Sequence, residues 1–317
     1  MVMAKRRASS FSRVQEEATQ SHVRRMPLIR KLEDHFGKTV VALQSSFHFA
    51  NGIIGDDDAT MLEEFFLSTE IRKGLLLFLN SPGGSGVAAE RIIRVCRKYS
   101  RNGFEVLVPH MAKSAATIIC CGATKVWMGE TSELGPVDPQ VAWGGERLAV
   151  HNILKGYEGI LARAAKGLAS PELYSELIRH YDPGRLEQLR QDVRLGEELT
   201  IDLLTSGMMK RLPRREVRRR ARVFLDPALT LVHERPIYRE EAERAGMAIG
   251  QINIDDPIWP VVWELQQRYD HILQANFGRV IESATLSCAA DGRPFDAEEE
   301  SEETTAAYAI PGRRLGG

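Results

Sequence analysis

Apolar positions along the first half of the chain alternate between two spacings. Short unbroken runs at 38–43, 74–80, 104–109 and 125–128 have the length of buried strands. Between them, apolar residues recur three and four apart. Met61, Leu62, Phe65 and Phe66 follow Asp56, Asp57 and Asp58, the acid-first order of a helix start. Over 87–99, Ala88, Ile92, Val95 and Cys96 form one stripe, and Arg91, Arg94, Arg97 and Lys98 form the solvated side. A small-residue helix is expected over 114–121. This alternation predicts a parallel α/β core. Residues 131–140, with Gly135, Pro136 and Pro139, read as a loop. From 150 to 205 the pattern is mostly helical, broken at Pro171 and Pro183. A charged helical turn over 239–244, a short strand over 247–252 and an amphipathic helix over 257–277 complete the periodic part. There is no internal repeat.

Two short signals stand out against that frame. Asn80-Ser81-Pro82-Gly83-Gly84 stops the strand at 74–80, and its glycine pair permits a sharp turn with exposed backbone N–H groups. Ala112-Lys113-Ser114-Ala115-Ala116-Thr117 sets Ser114 where the small-residue helix begins, beside unpaired N–H groups and the positive end of the dipole. Taken singly, Ser114 reads as a helix cap and the glycines as a plain turn. Together they describe a nucleophile and an oxyanion hole.

Composition narrows the class. With 43% apolar and 27% charged residues and a net charge of −1, the chain is an ordinary soluble globular protein with no global field for nucleic acid or membrane. No run is long enough for a transmembrane helix. The basic start (Lys5, Arg6, Arg7) is followed by a polar segment, not an apolar signal core. Cys96, Cys120, Cys121 and Cys288 lack metal-ligand spacing and read as reduced thiols of a cytoplasmic protein. No metal or cofactor is expected. Residues 210–222 carry eight basic residues and one acid. They read first as a solvated helix face, with an acidic partner as the alternative. Three segments are expected: a flexible start over 1–26, one domain over 27–282, and an acidic, disordered tail over 283–317.

The motifs NSPGG and AKSAAT, with Met128-Gly129 and the run Glu133 to Gln140 (ELGPVDPQ), resemble the serine dehydrogenase proteinase family. That family is related to the Clp protease proteolytic subunit and to signal peptide peptidase A. The resemblance covers roughly 27–275. It implies a ClpP/crotonase-like α/β fold, a spiral of β-β-α units with a helical arm, usually oligomeric. It further implies a serine peptidase in which Ser114 is the nucleophile. Ala115 and one of Gly83 and Gly84, here Gly84, would donate the oxyanion N–H groups.

The general base is less plain. The Clp subunit keeps a histidine in the loop after the strand that follows the nucleophile helix. Here that loop is Gly135-Pro136-Val137-Asp138-Pro139 and has none. Relatives resembling signal peptide peptidase use a downstream lysine instead. Lys155, 41 residues after Ser114, therefore becomes the expected base of a Ser-Lys dyad. The rival base or orienting residues are His110, His233 and Asp138. Lys113 is expected to support the turn. Two other readings stay open: a non-catalytic scaffold or peptide-binding oligomer, and a crotonase-like acyl-CoA enzyme. The expected partners are a peptide or protein substrate and further copies of the chain.

Overall fold

The computed structural model describes residues 21–293, apart from 70, 72, 73, 102, 144, 145, 169 and 231. In chain order the first half holds α1 (Ser21–Phe36), β1 (Thr39–Ser45), α2 (Asp56–Ser68), β2 (Leu75–Asn80), α3 (Gly86–Tyr99), β3 (Phe104–Val108), β4 (Met111–Ala112), α4 (Ala115–Gly122), β5 (Lys125–Gly129) and β6 (Glu133–Leu134). A hairpin, β7 (Gln140–Trp143) and β8 (Glu146–Ala149), leads into α5 (Val150–Ala165), α6 (Pro171–Ile178), α7 (Pro183–Ser206) and α8 (Arg214–Leu225). The chain closes with α9 (Pro227–Thr230), β9 (Ile237–Tyr238), α10 (Arg239–Arg244), β10 (Ile249–Ile252), α11 (Trp259–Ala275), β11 (Phe277–Ser283) and β12 (Ser287–Asp291).

Seven strands form the central sheet in the order β10-β5-β3-β2-β1-β11-β12. The first five run parallel, and β11 and β12 add antiparallel at one edge. Helices cover both faces, which is why β2 reads as continuous Leu-Leu-Leu-Phe-Leu rather than as alternation: every residue of it is buried. One face packs Leu76, Phe78 and Leu107 against α1 and α11. The other packs Leu77, Leu79 and Val106 against α2, α3, α4 and α8. A second, three-stranded sheet, β4-β6-β9, stands at the C-terminal ends of the parallel strands. This is the mixed α/β, ClpP-like architecture.

Local chemistry sets the helix ends. Ser85 Oγ accepts from Ala88 N (3.2 Å) at the start of α3. Pro171 and Pro183, expected as breaks, open new helices behind the caps Ser170 and Asp182. The expected 150–205 region is thus three helices, the first two largely exposed.

Three expectations give way. Residues 21–26 belong to α1, where Arg25 is buried against Glu282 (2.8 Å). The chain does not become a tail at Ser283: Ser283 Oγ accepts from Leu286 N (3.1 Å), and the turn sends β12 back along β11. The part of the expected tail beyond 293, and residues 1–20, lie outside the described residues. Gln140, the end of the expected loop, starts the β7 strand. Within the basic segment at 210–222, read first as a solvated helix face, five of the eight basic residues pair with acids of the chain. Arg214 pairs with Asp202 and Glu198, Arg218 with Glu198, Arg219 and Arg220 with Glu216, and Arg222 with Asp226.

Candidate active site

The two motifs meet because their backbones hydrogen-bond to each other. Ser81 N donates to Met111 O (3.0 Å) and Lys113 N donates to Ser81 O (3.0 Å). Asn80, 1% exposed, accepts Met111 N on its Oδ1 (3.0 Å). Thirty residues of chain, β2 to β4, thus close into one rigid corner with Ser114 on it.

Ser114 has φ 48° and ψ −114°, and it alone among the described non-glycine residues has positive φ. Its side chain makes no capping hydrogen bond to α4. The cap reading therefore fails on geometry. Ser114 is thus a strained, half-exposed serine whose hydroxyl does not serve its own helix.

Gly83 and Gly84 are required beside it. A Cβ on Gly83 (φ 109°) would lie 2.8 Å from Ser114 Cβ and from Lys113 O, and one on Gly84 (φ 146°) would lie 2.4 Å from Ile54 N and O. Ile54 N donates to Gly83 O (2.7 Å), and Ser85 N donates to Ile54 O (2.9 Å). In that parallel bridge the N–H of Gly84 itself points away from Ile54. Gly83 N is occupied by Ser81 Oγ (3.1 Å). The N–H groups of Gly84 and of Ala115, the first residue of α4, have no acceptor among the described residues.

Around this corner the polar groups are locked. Lys113 is 9% exposed, paired with Glu133 (2.8 Å) and donating to Leu134 O (3.3 Å). It fastens β6 to the turn. Thr117 Oγ1 lies 2.8 Å from Ala112 O and 2.9 Å from Gly135 O, sharing one proton between them, and accepts from Gly135 N (3.1 Å). The loop after β6 is thereby fixed to the helix that carries Ser114, and Val137 N anchors it further on Phe224 O (2.8 Å).

That loop carries Asp138, 8% exposed. Its Oδ2 lies 3.0 Å from His151 Nδ1 and 4.0 Å from His233 Nδ1. Burial raises the Asp138 carboxyl above the ordinary value; His151 and then His233 oppose the shift. Burial lowers the His233 imidazole below the ordinary value. Asp138 and Glu234 oppose this, and the charges of Arg147 and Lys113 add to it. His233 Nδ1 is buried and has no hydrogen-bond partner among the described residues.

Residues 13–159 match the family described as ClpP-like SDH-type serine proteinase. Over these residues, a little under half of the chain, the sequence is similar to that serine proteinase family. Two uncharacterised proteins of Methanocaldococcus jannaschii are similar. One is 39% identical over 69 residues, 22% of this chain and 24% of its own length. The other is 28% identical over 127 residues, 38% of this chain and 43% of its own. The chain thus spans less than half the length of either relative. A solved structure of a membrane-bound stomatin-specific protease, in a serine-to-alanine form, has a TM-score of 0.35 and 14% identity. That match covers 65% of this chain and 76% of that one.

The family segment contains Ser114, the glycine turn, Asp138, His151 and Lys155 but ends before His233. Lys155 is exposed on α5, with no ion pair or hydrogen bond among the described residues. His110 is half-buried, and its charge acts on Asp270 of α11, on the other face of the sheet from α4. Sequence reasoning missed His151. It stands four positions before Lys155 in the same helix, and only its long-range contact with Asp138 marks it. No group of three or more His, Cys, Asp or Glu residues could hold a metal ion among the described residues. No helix among them is long and apolar enough to cross a membrane.

Proposed function

We propose that the protein is a serine peptidase in which Ser114 attacks the scissile carbonyl and the Gly84 and Ala115 N–H groups receive the oxyanion. The observation that carries this reading is the Ser114 turn. A strained serine, free of capping duty, stands between two backbone donors that have no other acceptor. The match to a serine proteinase family supports the reaction class.

For the base, we take His233 over Lys155. His233 is buried, near a buried carboxylate, and influenced by Lys113. A proton on Nδ1 facing Asp138 leaves the Nε2 lone pair for the Ser114 hydroxyl. The serine oxygen bonds to the carbonyl carbon, and its proton passes to His233 and then to the leaving amine. Water repeats the cycle on the acyl-enzyme. Compared with the Clp subunit, the acid then sits where that enzyme keeps its histidine. The Ser-Lys dyad is the second reading. It requires Lys155 to become buried, as it would if another copy of the chain covered α5.

Self-association, usual in this family, and a cytoplasmic setting, which the buried free thiols Cys96, Cys120 and Cys121 suit, belong to the same proposal. An acidic partner at 210–222 does not, since five of the eight basic residues there already pair with acids of the chain. Cleavage of an unfolded protein substrate by the full chain, lost in Ser114→Ala with the fold intact, is the test. Equal cleavage by both proteins would reject the peptidase reading. Binding without cleavage by either would favour a peptide-binding scaffold.

A further inference from the structure

Three distant segments meet at Asp138: its own loop, the first turn of α5 and the approach to β9. We propose that His151 is a positioning residue for the reaction. By donating to Asp138 Oδ2, it holds the carboxylate where His233 Nδ1 can reach it. This rests on the reading of His233 as the base.

His151 makes the one hydrogen bond to the Asp138 side chain found among the described residues. The nearer histidine, at 3.0 Å, is within bonding distance; the farther, at 4.0 Å, is about 1 Å beyond it. Both face the same oxygen. A carboxylate oxygen has two lone pairs, so Oδ2 can accept from both rings at once. The orphaned, buried Nδ1 of His233 is the group that gains from closing the gap. Small tightening of this kind is common when a site fills.

The anchor is itself anchored. Val150 N, at the start of α5, donates to Pro139 O (2.9 Å), one residue past Asp138. Val150 and Ile153 are buried against Leu186 and Leu189 of α7. His151 is therefore fixed to the root of the helical arm, and the arm's seating is transmitted to the carboxylate. Without His151, Asp138 keeps its burial but loses the partner that sets its rotamer. The charged groups that bear on His233, besides Asp138, are Glu234, Arg147 and Lys113, and none of them replaces that contact.

The experiment is the rate of labelling of the full chain by a fluorophosphonate probe. His151→Phe, which keeps ring volume without a donor, should slow labelling about 10- to 100-fold. His151→Gln, which keeps an N–H, should restore most of the rate. In an Asp138→Asn background, His151→Phe should add nothing, because His151 acts through Asp138. If the phenylalanine variant does not fold, His151→Ala with added imidazole replaces it, and imidazole should speed its labelling. Wild-type rates in folded His151→Phe, faster labelling, or an effect that multiplies with Asp138→Asn would each overturn the proposal. Slow labelling in His233→Ala together with wild-type labelling in His151→Phe removes the positioning role alone. Wild-type labelling in His233→Ala removes the base reading beneath it.

Discussion

The two sides of the candidate site are built by different means. On the Ser114 side, backbone does the work: two hydrogen-bonded strand ends, two glycines without room for a side chain, and two N–H groups with no acceptor among the described residues. On the Asp138 side, three side chains from separate segments converge, and one of the contacts stands open at 4.0 Å. Backbone geometry is fixed as soon as the sheet forms. A side-chain cluster depends on how the helical arm is seated. The Ser114 corner should therefore be present in any folded copy, whereas the Asp138 cluster should respond to changes at a distance.

The largest effect expected from breaking this asymmetry is on the backbone side. Ser114→Ala should abolish peptide cleavage while the protein stays folded, as read by turnover and circular dichroism. Gly84→Ala should cost at least about 100-fold in turnover by displacing an oxyanion donor. It should also lower stability by about 2 kcal/mol or more, because its Cβ would overlap the Ile54 backbone. Denaturant unfolding reads the second part. A Gly84→Ala enzyme with normal turnover would remove Gly84 from the site.

On the side-chain side the expected loss is smaller and the choice of residue decides between bases. His233→Ala should slow turnover by about 100-fold or more, a general base's share, and Lys155→Ala should leave it unchanged. The reverse outcome would restore the Ser-Lys dyad.

Much of this asymmetry was legible in the sequence. The strands at 75–80, 104–108 and 125–129 and the helix over 86–99 lie within a residue or two of their apolar patterns. The Ser114 turn was legible because serine, glycine and small residues at fixed spacing carry backbone requirements. The other side was not. Asp138 and His233 stood out only as rivals, and His151 not at all, because nothing local distinguishes a histidine that meets a carboxylate thirteen residues away. The edge strands β11 and β12 were also hidden. A single residue separates the end of α11 from β11, and β12 is half exposed and built from Ser, Cys, Ala and Asp.

Two subtler measurements sharpen the contrast. Burial depresses the His233 imidazole below its ordinary value of 6.5. As pH falls through about 6.5 the unfolded chain takes up that proton before the native one, so native stability drops. The drop levels off below the native value. Melting temperature followed from pH 7 to pH 5 should show the loss, and His233→Phe should flatten it. A profile unchanged by the substitution would mean that this ring is not held neutral by burial. The smallest effect is on strain. Ser114→Gly should raise stability by about 1 kcal/mol, since glycine accepts φ 48° without cost and the gain is trimmed by its chain entropy. No gain would mean that the turn stores no strain.

The central claim is that Ser114 is an activated nucleophile. Its most direct test is to label the folded full-length chain with a fluorophosphonate and locate the adduct by peptide mass spectrometry. The account predicts a single adduct on Ser114, absent from Ser114→Ala. A folded wild-type protein that takes no label between pH 6 and 9, or takes it on another residue, would contradict it.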